Sequence, residues 1–120
     1  MEQYVQFIST LFASRTQAHI FHLQTTSFAA HSALNTYYDE IVDLADGLVE
    51  SFQGRYGIIR GYTSPASFKE DDQVVNYFEA LSKYVETARK GLPQDSYLQN
   101  EIDNVVGLIE STRYKLKFLH

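Results

Sequence analysis

Three histidines, His19, His22 and His31, stand in one uncharged stretch that runs from Thr16 to Tyr38. Two carboxylates, Asp46 and Glu50, follow at a four-residue spacing. The chain has no cysteine, so any metal site must use imidazole and carboxylate, and mixed N and O ligands suit Fe(II), Mn(II) or Zn(II). Disulfide scaffolds, thiolate zinc sites and cysteine nucleophiles fall away with the same observation. On a helix at 100° per residue with His31 at zero, Val42 falls at about 20°, Asn35 at 40°, Asp46 at 60°, Asp39 at 80° and Glu50 at 100°. Leu34, Ile41, Ala45, Leu48 and Phe52 lie at about 260–320°. One face packs inward, and a separate polar face carries the candidate ligands.

The i, i+4 spacing lets Asp46 and Glu50 converge on one cation. His31 precedes Asp46 by fifteen residues, roughly 22 Å of helix axis, so one helix cannot bring them to a common metal. A turn near Thr25 changes this, because His19 lies six residues before it and His31 six after it. In an antiparallel hairpin the two histidines reach the same height. The chain then offers a histidine half-site and a carboxylate half-site at opposite ends, and a two-fold dimer of the hairpin sets one against the other. Taken singly, the same residues have plainer readings. A lone helical histidine such as His22 is most often exposed or packed in a core, and Asp46 with Glu50 is a solvated face in most helices.

These side chains need helices to position them, and apolar residues do recur at helical spacing. Tyr4, Phe7 or Ile8, Leu11, Phe12, Ala18 and Phe21 mark a first helix, and Leu34, Tyr38, Ile41, Ala45, Leu48 and Phe52 a second. Thr25-Thr26-Ser27 is the candidate turn between them, with Thr26 or Ser27 as N-cap; a continuous helix through this point is the competing reading. The second helix is expected to end at Gly54. Residues 54–67 hold three of the six Gly and one of the two Pro, a loop long enough to run the length of a bundle. Ser67-Phe68-Lys69-Glu70 reads as a capping box. A third helix follows, beginning at Glu70-Asp71-Asp72, carrying Val74 or Val75, Phe78, Leu81, Val85 and Ala88, and ending at Arg89-Lys90 before Gly91. Leu92-Pro93-Gln94-Asp95 is a short reversal with Asp95 as cap. A fourth helix spans about 96–118, with Leu98, Ile102, Val105, Leu108 or Ile109, Thr112 and Leu116 inward. Short turn, long connection, short turn is the wiring of an all-α, ferritin-like four-helix bundle with one crossover between helices 2 and 3, a single domain over residues 1–120. An up-down-up-down bundle is the alternative.

The order His19, His31, Asn35, Asp46, Glu50, with eleven, three, ten and three residues between, resembles the ferroxidase pattern of the Dps miniferritins. That family has His, His, Asp, Asp and Glu at the same spacing. The fourth helix, Glu101-Ile102-Asp103 through Thr112-Arg113-Tyr114-Lys115-Leu116, is also similar to the family's closing helix. The resemblance implies a homo-oligomer built from dimers, a dodecameric shell that oxidises Fe(II), commonly with hydrogen peroxide, and stores the ferric mineral. It implies His19 and His31 as iron ligands from one subunit and Asp46 and Glu50 from its partner, with Asn35, Asp39 and His22 as weaker candidates. Other divalent metals fit the same donor set. The chain departs from the family at Asn35, which replaces a carboxylate, and at Ile20, where the family has Trp. The Glu-x-x-His motif of a diiron centre inside one bundle is missing, since Thr16, His19 and Phe28 stand three before the three histidines. A second reading follows from Asn35: a non-catalytic structural or interaction protein that keeps the bundle and has lost the iron chemistry. A third is a small metal-binding bundle that forms only a dimer.

The whole composition sets outer bounds. With 120 residues, one core is expected. Ten Lys+Arg against fifteen Asp+Glu give a formal net charge of −5 at pH 7, which argues against a free-standing nucleic-acid binder, so direct DNA binding is not expected. The Thr16–Tyr38 stretch is too polar for a membrane span, and Met1-Glu2-Gln3-Tyr4 lacks the basic start of a signal peptide, so a cytoplasmic protein is the expectation. The nine Tyr are expected to pack the bundle or a subunit interface, a radical trap beside the iron being the alternative role. Arg55, Arg60 and Lys69 read as solvated loop charge, with a small anion patch as the alternative.

Overall fold

The computed structural model describes residues 2–63 and 68–120. Four helices dominate it: α1 (Glu2–Gln24), α2 (Phe28–Tyr56), α3 (Val74–Ala88) and α4 (Ser96–Phe118). Single 3-10 turns at Asp71–Gln73 and Arg89–Gly91 precede and follow α3. No strand occurs among the described residues. The longest extent is 43 Å, the length expected of the 29 residues of α2 at about 1.5 Å each. One helix thus runs from end to end, and the others pack along it.

The period-3.6 stripes become the core. Tyr4, Phe7, Ile8, Leu11, Ala18 and Phe21 of α1 join Leu34, Tyr37, Ile41, Ala45, Leu48 and Phe52 of α2. Phe78, Leu81 and Val85 of α3 and Leu98, Ile102, Val105, Leu108, Ile109 and Leu116 of α4 close it. Phe12 and Tyr38, expected inside, are half-buried instead, and Tyr37 takes the core place with its ring edge-on to Phe78 at 4.9 Å. Of the Val74/Val75 pair, Val74 packs against the core and Val75 is exposed.

α1 and α2 form an antiparallel hairpin pinned along its length. At the base, the Tyr4 hydroxyl donates to Leu48 O at 2.9 Å and its ring stacks on Phe52. Midway, Ser14 and Tyr37 share a buried hydroxyl pair at 2.7 Å. Beyond α2 the chain climbs back along α1. Thr63 N donates to Ser9 Oγ at 2.9 Å, and Lys69 N donates to Gln17 Oε1 at 2.8 Å. These bonds explain why Ser9 and Gln17 are buried although polar. α3 then starts beside Phe21, against Tyr77 at 5.7 Å, and descends past Phe7, against Tyr84 at 6.2 Å. α4 packs on both α2 and α3.

The element ends refine the sequence expectations. Ser27 is the N-cap of α2, its Oγ accepting from Ala30 N at 3.2 Å. α2 does not stop at Gly54 but continues to Tyr56, because Phe52 and Tyr56 pack together at 4.9 Å and Tyr56 finds a partner in Asp95. The stop falls at Gly57, whose φ of 99° is open to glycine at little cost. The expected capping box rests on Ser67, which lies outside the described residues. Its partner Glu70 precedes the 3-10 turn without a side-chain cap bond. Asp95 sits at the N-cap of α4 as expected, yet its carboxylate serves Tyr56 at 2.5 Å rather than the helix amides. That hydroxyl, donating to it, holds Asp95 below the usual carboxylate range. Among the described residues no helix is long and apolar enough to cross a membrane.

Candidate functional site

The hairpin tip brings histidines together because α1 ends at Gln24 and α2 starts at Phe28. His22 and His31 then face each other in a reciprocal arrangement. His22 Nδ1 lies 2.8 Å from His31 O, and His31 Nδ1 lies 3.0 Å from His22 O. A carbonyl only accepts, so both Nδ1 atoms must donate. The imidazoles stack with centroids 3.6 Å apart. In the neutral ring the Nε2 lone pair is left as the ligand atom, the backbone bond on the other nitrogen having fixed the tautomer. His22 is buried and His31 exposed.

His19 lies about one helical turn before His22 on α1. It is half-buried, with its ring 4.7 Å from Tyr38 and 6.1 Å from His22. His22, the weaker candidate from sequence, is therefore the histidine packed on His31. A tip at 25–27 pairs positions that sum to about 52, which brings 22 close to 31. Tyr38 links the histidines to the next turn of α2, its hydroxyl donating to Asn35 Oδ1 at 2.6 Å. Asn35 Nδ2 donates to Asp39 Oδ2 at 3.3 Å. Asn35 thus takes one proton donor and offers another, a double role that a carboxylate at this position could not fill.

Asp46 and Glu50 are both exposed on the outer face of α2. Neither takes part in an ion pair among the described residues. They stay on one helical face with His31, but a continuous α2 keeps Asp46 roughly 22 Å and Glu50 roughly 28 Å down the axis from it. Among the described residues no group of three or more His, Cys, Asp or Glu comes together where one ion could be held. One chain therefore presents two separated groups of candidate donors, the histidines at the tip and the carboxylates farther along α2. A cavity of about 600 Å³ lies elsewhere, between the first turns of α1 and residues 58–63. It is lined by Val5, Ile58 and Ile59 among others and holds no histidine.

Comparisons with known proteins fit around this geometry. The model of a family of unknown function, DUF5856, matches residues 22–116. That span takes in His22, His31, Asp46 and Glu50 and begins after His19. The chain is 26% identical over 113 residues to an uncharacterized 14.6 kDa protein from the mobD-ri intergenic region of Enterobacteria phage T4, across 92% of this chain and 85% of that protein. No solved structure matches it.

Proposed function

Because the chain belongs to the family of unknown function DUF5856, its function rests on its own residues, and we propose that it is a Dps-like miniferritin. In this reading it binds Fe(II) at sites shared between two copies, oxidises it, and stores the ferric product in a homo-oligomeric shell. The observation that carries the proposal is the outer face of α2, where exposed His31, Asp46 and Glu50 share one helical stripe. The path of the chain supports a ferritin-like bundle with one long crossover, since the segment after α2 climbs α1 from Ser9 to Gln17 before α3 begins.

His31 and His19 supply imidazole from one copy, Asp46 and Glu50 carboxylate from the other. His22 holds the His31 ring in its tautomer through the backbone bond. With hydrogen peroxide as oxidant, two Fe(II) ions give one electron each and the O–O bond breaks. Two waters complete the two FeOOH units, and four protons leave to solvent. The acidic balance of the chain draws the cation toward the site.

Light scattering on the purified chain, followed by aerobic Fe(II) addition and ferric absorbance, tests assembly and chemistry together. The expected result is a particle of many subunits whose Fe(II) oxidation is lost in His31→Ala and in Asp46→Ala. A monomer that oxidises Fe(II) no faster than buffer would overturn the proposal. The bonding of Asn35 to Tyr38 and Asp39 favours a second reading, a non-catalytic structural or interaction protein. It predicts assembly with no iron oxidation and no effect of either substitution.

A further inference from the structure

We propose that the cavity between the first turns of α1 and residues 58–63 binds a small zwitterion, an apolar dipeptide with free ends, whose ammonium meets Glu2 and whose carboxylate meets Arg60. The cavity lies at the opposite end of the hairpin from its tip and holds no histidine, so iron chemistry plays no part in it.

The walls are set by the fold itself. On α1, Glu2, Val5, Gln6, Ser9 and Thr10 line the cavity, and their i, i+3, i+4, i+7, i+8 spacing makes them one helical stripe. Opposite them runs the segment that leaves α2 through Gly57. Side chains of the hairpin pin it at two points. Ile59 N donates to Gln53 Oε1 at 3.0 Å, and Thr63 N donates to Ser9 Oγ at 2.9 Å. Between these pins Gly61 has a φ of 91°, a conformation open to glycine at little cost. The segment bends there, and about 600 Å³ stays open between it and α1. That volume falls in the usual range for small-molecule sites.

The lining offers three kinds of group. Val5, Ile58 and Ile59 supply apolar surface, and Ile58 is left 69% exposed. Gln6 is exposed on the α1 stripe, and its carboxamide both donates and accepts, as a peptide unit requires. Glu2 and Arg60 bring opposite charges to the same cavity, yet neither joins an ion pair among the described residues.

Charge and spacing select the occupant. Glu2 and Arg60 stand too far apart to pair with each other. A monocarboxylate would answer Arg60 and leave Glu2 facing its apolar tail or its own charge. A zwitterion answers both. In a free amino acid the two charges sit on one carbon. In a dipeptide they stand up to about 7 Å apart, at roughly 3.3–3.6 Å per residue, which suits two side chains that do not reach one another. Its own apolar side chains then cover Val5, Ile58 and Ile59.

Isothermal titration calorimetry of the full chain with leucyl-leucine, in the presence of a chelator, tests the site without any metal. The wild-type chain is expected to bind one dipeptide with a Kd on the order of 0.1 mM. Free leucine should bind about 10-fold more weakly or worse, and so should the dipeptide blocked by N-acetylation and C-terminal amidation. Glu2→Gln and Arg60→Gln should each weaken leucyl-leucine roughly 5- to 10-fold. Both residues are exposed, so far-UV circular dichroism should not change. The pairing of ends is read from combinations of variant and ligand. Glu2→Gln should bind the acetylated dipeptide as well as the free one, and Arg60→Gln the amidated dipeptide as well as the free one. A wild-type chain with no saturable binding of leucyl-leucine overturns the proposal. So does equal binding of the doubly blocked dipeptide or of free leucine, and so do variants that bind as the wild type does.

Discussion

At the scale of single residues, what a side chain does here depends on partners contributed by other helices. His22 and Tyr37 show this. Spacing alone marks His19 and His31 as a pair, and it marks Asp46 with Glu50. It does not say that His22 stacks on His31, because that depends on how the two helices rotate against each other at the tip. Tyr37 and Tyr38 both border the core stripe of α2, and the wheel of one helix cannot choose between them. Phe78 of α3 makes the choice by packing edge-on to Tyr37. Tyr37 is then fully buried, and desolvation pushes its phenol far above the usual 10, while burial lifts Tyr77 to about 12. The folded chain keeps protons that unfolded tyrosines release above pH 10. Stability is therefore complete below pH 10 and falls as the pH rises toward 12 and beyond. Tyr37→Phe is expected to lower stability by about 1 kcal/mol at pH 7 through loss of the Ser14 bond, and to make the alkaline decline shallower. Urea unfolding at neutral pH and near pH 11 measures both effects.

At the scale of elements, local signals located the helices well and their ends less well. Ser27 was readable as a cap because its side chain needs only the amides of its own helix. Gly54 was not readable as an interior residue, since the two helical residues beyond it are held by Tyr56 reaching Asp95, 39 positions away. The same long-range bond removes the Asp95 carboxylate from capping α4. Ser9 and Gln17 are buried polar residues of α1 that no local signal marks, and their reason is the backbone of the connection that lies on them. Gly107, inside α4, has no such reason: a Cβ there meets nothing within 4 Å. Gly107→Ala should stabilise the bundle by about 1 kcal/mol, the usual difference in helix propensity, and a rise in the thermal midpoint checks it. Ala at Gly57 is expected to do the opposite, given its positive φ.

At the scale of the whole molecule, the number of helices and their order were legible because three connections of unequal length leave few wirings. The candidate centre was legible only in halves, since one straight helix sets His31 apart from Asp46, and the joining of the halves is the part that the proposed function adds. Subunit mixing tests that joining. His31→Ala and Asp46→Ala chains are each expected to lack the site. Unfolded and refolded together, they should regain it in mixed dimers, where one site carries both wild-type halves and the other carries both substitutions. Fe(II) binding in the mixture well above that of either chain alone is the expected outcome, and a mixture no better than its components would show that the halves do not meet across subunits. The lock between His22 and His31 also bears on the order in which the chain assembles. It joins positions nine apart, whereas the bonds from Ser9 to Thr63 and Gln17 to Lys69 join positions 54 and 52 apart. Closing the larger loop is costlier by about 1.6 kcal/mol in chain entropy. The N-terminal hairpin is therefore the segment most easily closed first, during synthesis or refolding, and α3 and α4 condense onto a template whose histidine-bearing tip is already set.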